Sequence, residues 1–330
     1  MLSLEIGAKE LALELRQKGL AIIGLSEQAQ KIRAFAHKAA QTEHTVLLRG
    51  DTGVGKDHLA EVIHDLSRRD SFITVDCGLL PDGLMEAELF GHVRGAFSGA
   101  ANGKIGLIEL ASGGTLFINE VTNLPFAMQS KLLRVMDCKS FRQIGGTREI
   151  DINTKIIVGT NANLEREMEQ KRLRQDLYYR LNVLSFTLPP LAQRRDDIAV
   201  LAEHFLKKEK KGKKFSPEAL ACMENHRWPG NIRELKNIVA KAVFNLGDEE
   251  EIRPQHLELD VAGDESSGQE SMPTFKEMER RYYSRLIRSV GGNLKKASRI
   301  SGVYRGTIQK RVSQLNLEDI LTEARAGNRN

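Results

Sequence analysis

Residues 45–67 run from an apolar pentapeptide (TVLLR) through a glycine-rich turn into a helical pattern, and few features restrict a fold more tightly. The turn reads Gly50-Asp51-Thr52-Gly53-Val54-Gly55-Lys56. Such a turn needs a buried strand before it and a helix after it. Its glycines then let backbone N–H groups converge on phosphate oxygens at the positive end of the helix, and the lysine reaches the outer phosphates. The context is met here, with a helix expected over 56–67. The loop therefore predicts a nucleotide site built from Gly50, Asp51, Thr52, Gly53, Val54, Gly55 and Lys56. The general pattern places Ser or Thr after the lysine, as a hydroxyl ligand for Mg²⁺; here that position is Asp57.

Short apolar runs follow at 72–75, 115–118 and 155–158, with a helical pattern at 129–136. Strands alternating with helices predict an α/β layer on a mostly parallel sheet. From about residue 194 the pattern becomes helical, at 198–205, 217–225 and 232–244, which predicts a small helical subdomain. Residues 258–271 (ELDVAGDESSGQES) are acidic, Gly/Ser-rich and without apolar periodicity, as in a linker. Helices are expected beyond it at 275–290, 294–301 and 305–315. The resulting division is a helical N-terminal segment (1–20), an α/β core (21–190), a helical subdomain (191–257), the linker (258–271) and a C-terminal helical domain (272–330).

The charge is unevenly spread. The net charge is +5, but residues 272–330 carry thirteen Lys/Arg against five Asp/Glu, or +8, leaving −3 for the first 271. A basic end on a mildly acidic body predicts a polyanion partner for that end, against the plain alternative of a solvated basic helix. With 41% apolar and 28% charged residues the chain has the composition of a water-soluble globular protein. Residues 1–20 lack a continuous apolar run, which argues against a signal peptide or a membrane span and for a cytoplasmic setting. Cys77, Cys138 and Cys222 are widely spaced with no metal-ligand pattern, and are expected as reduced core residues.

The second half of a nucleotide site should be an acidic pair closing another buried strand. Gly113-Gly114-Thr115-Leu116-Phe117-Ile118-Asn119-Glu120 has the position and half the chemistry. Glu120 is placed to polarise an attacking water. Asn119 stands where an aspartate would help hold the metal, and an amide offers one neutral oxygen in place of a charged carboxylate.

Further stretches carry a family resemblance: Glu88-Leu89-Phe90-Gly91-His92, Gly95-Ala96-Phe97-Ser98-Gly99-Ala100, Lys131-Leu132-Leu133-Arg134-Val135, Asp176-Leu177-Tyr178-Tyr179-Arg180-Leu181-Asn182-Val183 and Trp228-Pro229-Gly230-Asn231-Ile232-Arg233-Glu234-Leu235. Over about residues 20–318 the chain resembles the bacterial enhancer-binding proteins, sigma-54-dependent transcription activators of the AAA+ ATPase class. The resemblance implies a P-loop AAA+ core with a helical lid subdomain and a C-terminal Fis-type helix-turn-helix. It also implies ATP and Mg²⁺ as cofactors, with Asp57, Asp76 and Glu120 toward the metal. Gly95, Ala96, Phe97, Ser98, Gly99 and Ala100 resemble the loop that engages sigma-54 RNA polymerase holoenzyme, Phe97 touching the factor. Asn161 resembles the first nucleotide sensor and Arg233 the second. Arg174 and Arg180 resemble arginine fingers that reach a neighbouring subunit's γ-phosphate in a hexameric-type ring.

Departures from the family pattern bear on activity. Ser98 replaces the usual Thr and loses a methyl group that would touch the factor. Asp57 is unremarkable, since an acidic residue after the loop lysine is common in the family. Asn119 replaces an Asp, and Asp76 stands where the family typically has an Asn that restrains the catalytic Glu. These last two read as an exchange that leaves the formal charge of the pocket unchanged; relaxed selection on hydrolysis is the competing reading.

Gly291-Gly292-Asn293, the helix at 294–301, a turn at 302–304 and the helix at 305–315 have helix-turn-helix proportions. Ala297, Ile300, Val303, Ile308, Val312 and Leu315 are expected to pack the pair. Lys295, Arg305, Thr307, Gln309, Lys310 and Arg311 offer donors for phosphates and base edges of double-stranded DNA. Tyr282, Tyr283, Leu286 and Ile287 suit a dimer contact. The leading expectation is thus an ATP-driven activator of sigma-54 polymerase that binds upstream DNA. A DNA- and nucleotide-binding regulator with weak or no hydrolysis, not acting on sigma-54 polymerase, stays open. An unrelated AAA+ remodeller is disfavoured by residues 95–100 and by the basic end. Only about twenty residues precede the core, too few for a sensing domain, so control is expected from a separate protein or from a longer chain.

Overall fold

The computed structural model describes residues 21–79, 82–98, 100–210, 212–247 and 249–259; toward the C-terminus it describes Glu279, 282–284, 286–287, 290–301, Val303, 305–315, 317–318 and 320–322. The chain divides after Asp260 into two compact units.

The first unit is built on a five-stranded sheet in the order β2-β3-β6-β1-β7, all neighbours parallel. The strands are β1 (Val46–Arg49), β2 (Phe72–Asp76), β3 (Thr115–Asn119), β6 (Lys155–Thr160) and β7 (Leu184–Thr187). Between β3 and β6 lies a small antiparallel pair, β4 (Ser140–Phe141) with β5 (Ile150–Asp151). Successive side chains of a strand face opposite sides. Leu116 and Ile118 accordingly join one core with α3 (Asp82–Phe90), α5 (Phe126–Cys138) and α7 (Gln175–Leu181), whereas Phe117 joins the other with α1 (Glu27–Ala40) and α2 (Lys56–Ser67). Covering both faces explains why the strands read as unbroken apolar runs. Two short helices, α4 (Leu107–Leu110) and α6 (Leu164–Glu169), complete this layer.

Lys155 opens β6 fully buried. Its ammonium donates to the carbonyls of Ala39, at 2.8 Å, and Thr42, at the end of α1, and burial lowers its pKa to about 8.

Residues beyond β7 form a helical lid with its own core. It comprises α8 (Asp196–Glu209), α9 (Pro217–Asn225), α10 (Asn231–Leu246) and a two-stranded pair, β8 (Lys214–Phe215) and β9 (Glu251–Ile252). Ser216 caps α9 through Ala219 N–H, with Pro217 in the first turn where its missing N–H costs nothing. Trp228 fills the centre, and its indole N–H donates to the Met223 carbonyl at 2.8 Å.

In the second unit α11 (Leu294–Ser301) and α12 (Arg305–Gln314) pack on Tyr283, Leu286, Ile287 and Val290. Ala297, Ile308, Val312 and Leu315 pack as expected, but Ile300 is 62% exposed and Leu294 and Leu317 take places in the core. Tyr283, Leu286 and Ile287, expected at a dimer contact, are spent on this core; Tyr282 alone of the four stays half exposed. Most of the expected linker and of the helix at 275–290 lies outside the described residues. The cysteine expectation is corrected: Cys77 is buried, but Cys138, the last residue of α5, and Cys222, within α9, are exposed. Among the described residues no helix is long and apolar enough to cross a membrane.

Candidate nucleotide site

The carboxyl ends of β1, β2, β3 and β6 converge beside the glycine loop, where a cavity of about 670 Å³ opens between sheet and lid. Open parallel sheets bind ligands at this edge. Gly55 caps α2 with φ +103°, and Gly53 has φ +80° with a side-chain position that would collide with the Gly230 carbonyl oxygen. Only glycine fits there. Lys56 is buried, and its ammonium donates to the Gly50 carbonyl at 2.8 Å and to that of Asp51 at 3.4 Å. It also lies 3.6 Å from Glu120 Oε1.

Glu120 directly follows β3 with φ +54°, a left-handed conformation that is costly outside glycine and concentrates at functional sites. Its other carboxylate oxygen accepts the Asn161 backbone N–H at 3.1 Å, while the Asn161 amide donates to Thr52 Oγ1 at 3.2 Å. Asn161 thus joins the glycine loop to the acidic residue. Asn119 and Asp76 sit opposite one another in register. Asn119 Nδ2 donates to Asp76 Oδ2 at 3.2 Å, and Gly78 N–H donates to Asp76 Oδ1 at 2.9 Å. Asp57 is an exposed first-turn residue of α2 at the cavity wall, and Arg233 reaches the same cavity from α10.

Arg174 and Arg180 line no part of this cavity. Arg174 makes a two-pronged ion pair with Asp176, at 3.0 and 2.7 Å, holding that carboxyl below its usual range, and lies over the Phe126 ring. Arg180 donates to the Met136 carbonyl at 2.9 Å and pairs with Asp137 at 3.0 Å. The Gly95–Ala100 stretch lies elsewhere, in a hairpin rooted by His92–Lys104 hydrogen bonds at 2.9 and 2.8 Å and by Val93 N–H to the Ile144 carbonyl. Gly95 N–H donates to the Ala100 carbonyl at 2.8 Å, closing the tip; Gly99 is not among the described residues. Phe97 is 47% exposed, its ring against the His92 edge. In the second unit Lys295, Arg305, Thr307, Gln309 and Lys310 are exposed, and Arg311 is half-buried beside Glu279.

Pattern reading passed over several residues of the site. Asn231, 2% exposed, accepts the Leu191 N–H at 2.8 Å and donates to the Thr52 carbonyl at 3.1 Å, fastening the start of the lid to the glycine loop. Ile232 N–H adds a bond to the Gly53 carbonyl. Arg194, 4% exposed, donates to the Val54 carbonyl at 2.8 Å, and its Nε is buried without a partner. Asp197, fully buried, accepts from Leu25 N–H, Ser26 N–H and the Ser26 hydroxyl. The signal for the last two was the charged run Arg194-Arg195-Asp196-Asp197 at the first lid helix, too polar for a core by composition alone. Arg49, at the root of the loop, pairs with Glu165 at 2.8 Å, which also accepts from the Tyr178 hydroxyl at 3.0 Å.

A parallel sheet in this order, a glycine loop closed by a lysine, and a helical lid fastened to that loop define a P-loop ATPase of the AAA+ class. The Sigma-54 interaction domain family matches residues 22–187, and the AAA+ ATPase lid domain matches residues 192–274. The chain belongs to the sigma-54-dependent transcription activators. It is 38% identical to the transcriptional regulatory protein GlrR of Escherichia coli (strain K12) over 309 residues, covering 90% of this chain and 68% of that protein. With the response regulator protein PilR of Pseudomonas aeruginosa it shares 39% over 266 residues, 78% of this chain and 60% of that one. Coverage falls to 42% of the transcriptional regulator VasH of Vibrio cholerae. Among solved structures, NtrX of Brucella abortus in complex with ADP superposes with a TM-score of 0.70 at 30% identity, over 95% of this chain and 74% of that one. An ATP complex of the same protein gives 0.68.

Proposed function

We propose that the chain binds ATP with Mg²⁺ in the cavity between sheet and lid and hydrolyses it as a ring. The cycle then drives the Gly95–Ala100 loop against sigma-54 RNA polymerase holoenzyme to open promoters. One observation carries this reading: the Lys56 ammonium, the Glu120 carboxylate and the Asn161 amide meet within hydrogen-bonding or ion-pairing reach at the mouth of the glycine loop. That set provides a cation for the outer phosphates, a carboxylate to orient the attacking water, and a contact that reports on both.

The residues present fit a magnesium ion, since Asn119 Oδ1 is a buried acceptor without a partner and Asp57, Asp76 and Glu120 line the same cavity with hard oxygen donors. Bound with ATP, the ion would neutralise charge on the terminal phosphates. Arg233, in the wall of that cavity, would contact the same chain's phosphates. Arg174 and Arg180, being remote from their own cavity, are suited to a neighbouring subunit's γ-phosphate, which makes hydrolysis depend on assembly. Lys295, Arg305, Thr307, Gln309, Lys310 and Arg311 give the second unit a donor-rich surface for upstream double-stranded DNA. Self-association as a dimer through this end and as a hexameric-type ring through the core, and control by a separate regulatory protein, complete the proposal.

Asn119 and Ser98 favour a second reading, a DNA- and nucleotide-binding regulator with little hydrolysis. Promoter opening by sigma-54 polymerase decides between them. The first reading expects opening that requires ATP and is lost in Lys56→Ala and Phe97→Ala; opening that is absent or independent of ATP refutes it.

A further inference from the structure

Asp76 and Asn119 close adjacent strands in register, side by side in the cavity wall that also holds Lys56 and Glu120. The hydrogen bond between them fixes which way the Asn119 amide faces. A carboxylate accepts and does not donate, so the Asn119 –NH₂ must point to Asp76 Oδ2, as it does at 3.2 Å. The amide oxygen is thereby turned away from Asp76. It is shielded from solvent with no hydrogen-bond partner, a condition native structures tolerate only for a reason. Each Asp76 oxygen has one donor, Asn119 Nδ2 or Gly78 N–H, and keeps a lone pair.

The pair therefore presents one formal negative charge and one oriented neutral oxygen at the edge of the phosphate cavity. Hard divalent cations take this combination of carboxylate and amide oxygens. We propose that Asp76 supplies the carboxylate that Asn119 lacks at the metal–nucleotide site of this chain, with Asn119 as the neutral oxygen donor that Asp76 orients. The assignment rests on the ATP-site reading above. Among the described residues, Glu120 accepts a hydrogen bond from Asn161 N–H at 3.1 Å and lies 3.6 Å from the Lys56 ammonium.

The test uses the full chain, a non-hydrolysable ATP analogue and Mn²⁺ as a paramagnetic probe, free and bound ion being separated by EPR. A fluorescent nucleotide titrated in EDTA reports metal-free binding and an intact fold. Asp76→Asn should weaken Mn²⁺ in the ternary complex by about tenfold or more while leaving metal-free nucleotide binding in place. The exchanged double variant Asp76→Asn/Asn119→Asp should recover most of the loss, and Asn119→Asp alone should bind Mn²⁺ at least as tightly as the native chain. Native Mn²⁺ affinity in Asp76→Asn, or a double variant as weak as Asp76→Asn, overturns the assignment and spares the site. Failure of the native chain to bind nucleotide in EDTA and with Mn²⁺ alike removes the site and the assignment with it.

Discussion

Asn231 joins lid to phosphate loop through both ends of one amide, and its removal has a magnitude that can be worked out. Asn231→Ala deletes the acceptor for Leu191 N–H and the donor to the Thr52 carbonyl. Leu191 is fully buried, so its N–H is left without water, whereas Thr52 is exposed and its carbonyl can be rehydrated. The first loss costs about 1–3 kcal/mol and the second about 0.5 kcal/mol. Asn231 also has φ +53°, where alanine adds roughly 1–2 kcal/mol that asparagine partly escapes. The sum, about 3 kcal/mol, lowers the melting temperature by about 6–12 °C for a unit of this size. Asn231→Gly relieves the backbone strain but not the lost bonds, and should fall by about two-thirds as much. Asn231→Asp keeps the Leu191 bond and sets an oxygen against the Thr52 carbonyl, so it should cost less stability than alanine but still weaken nucleotide binding. Scanning calorimetry with a fluorescent-nucleotide titration of all three variants measures this. Melting of the alanine and glycine variants within about 1 °C of the native chain would refute the reasoning.

Further outcomes follow from other sites. Lys155 has a folded pKa near 8 against 10.5 for a free lysine, so above pH 8 the unfolded chain holds a proton the folded one gives up. Thermal stability of the native chain relative to Lys155→Met should rise from pH 8 to pH 10; a difference flat in pH contradicts it. Two of the three thiols should react quickly with a disulfide reagent, because Cys138 and Cys222 are exposed, while burial holds Cys77 protonated with a pKa of about 12. Phe97→Ala should leave the melting temperature within about 2 °C of native, since its ring is half exposed, yet abolish promoter opening. Arg174→Ala should retain nucleotide affinity in dilute protein and lose turnover at concentrations that support assembly; weakened affinity in the dilute subunit would place it in its own cavity.

The sheet was the most legible part of the sequence, because strands covered on both faces are written as plain apolar runs. The runs at 72–75, 115–118 and 155–158 each extend one or two residues further in the structure, into Asp76, Asn119 and Thr160. Asp76, Asn119 and Thr160 are polar, so an apolar run stops short of these strand ends, and only the motif spacing pointed to Asp76 and Asn119. The glycine loop was equally plain, since its spacing is dictated by phosphate geometry. The joint between core and lid was not. Arg194, Asp197 and Asn231 are buried polar groups bonded to backbone atoms at distant points of the chain, such as Val54, Leu25 and Leu191. Nothing local marks such a partner. Tyr283, Leu286 and Ile287 misled for the opposite reason: an apolar stripe does not say whether it faces its own domain or a second copy.

The sheet and the lid keep separate apolar interiors, and what crosses between them is largely directional: an amide, a guanidinium, a carboxylate and a few peptide groups. A seam of that kind can swing without baring oily surface to water. Its resistance to opening is set by a handful of bonds that water can replace one for one. The lid is thus tied to the loop by direction more than by area, so a shift of a few tenths of an ångström in the loop is felt at every one of these bonds.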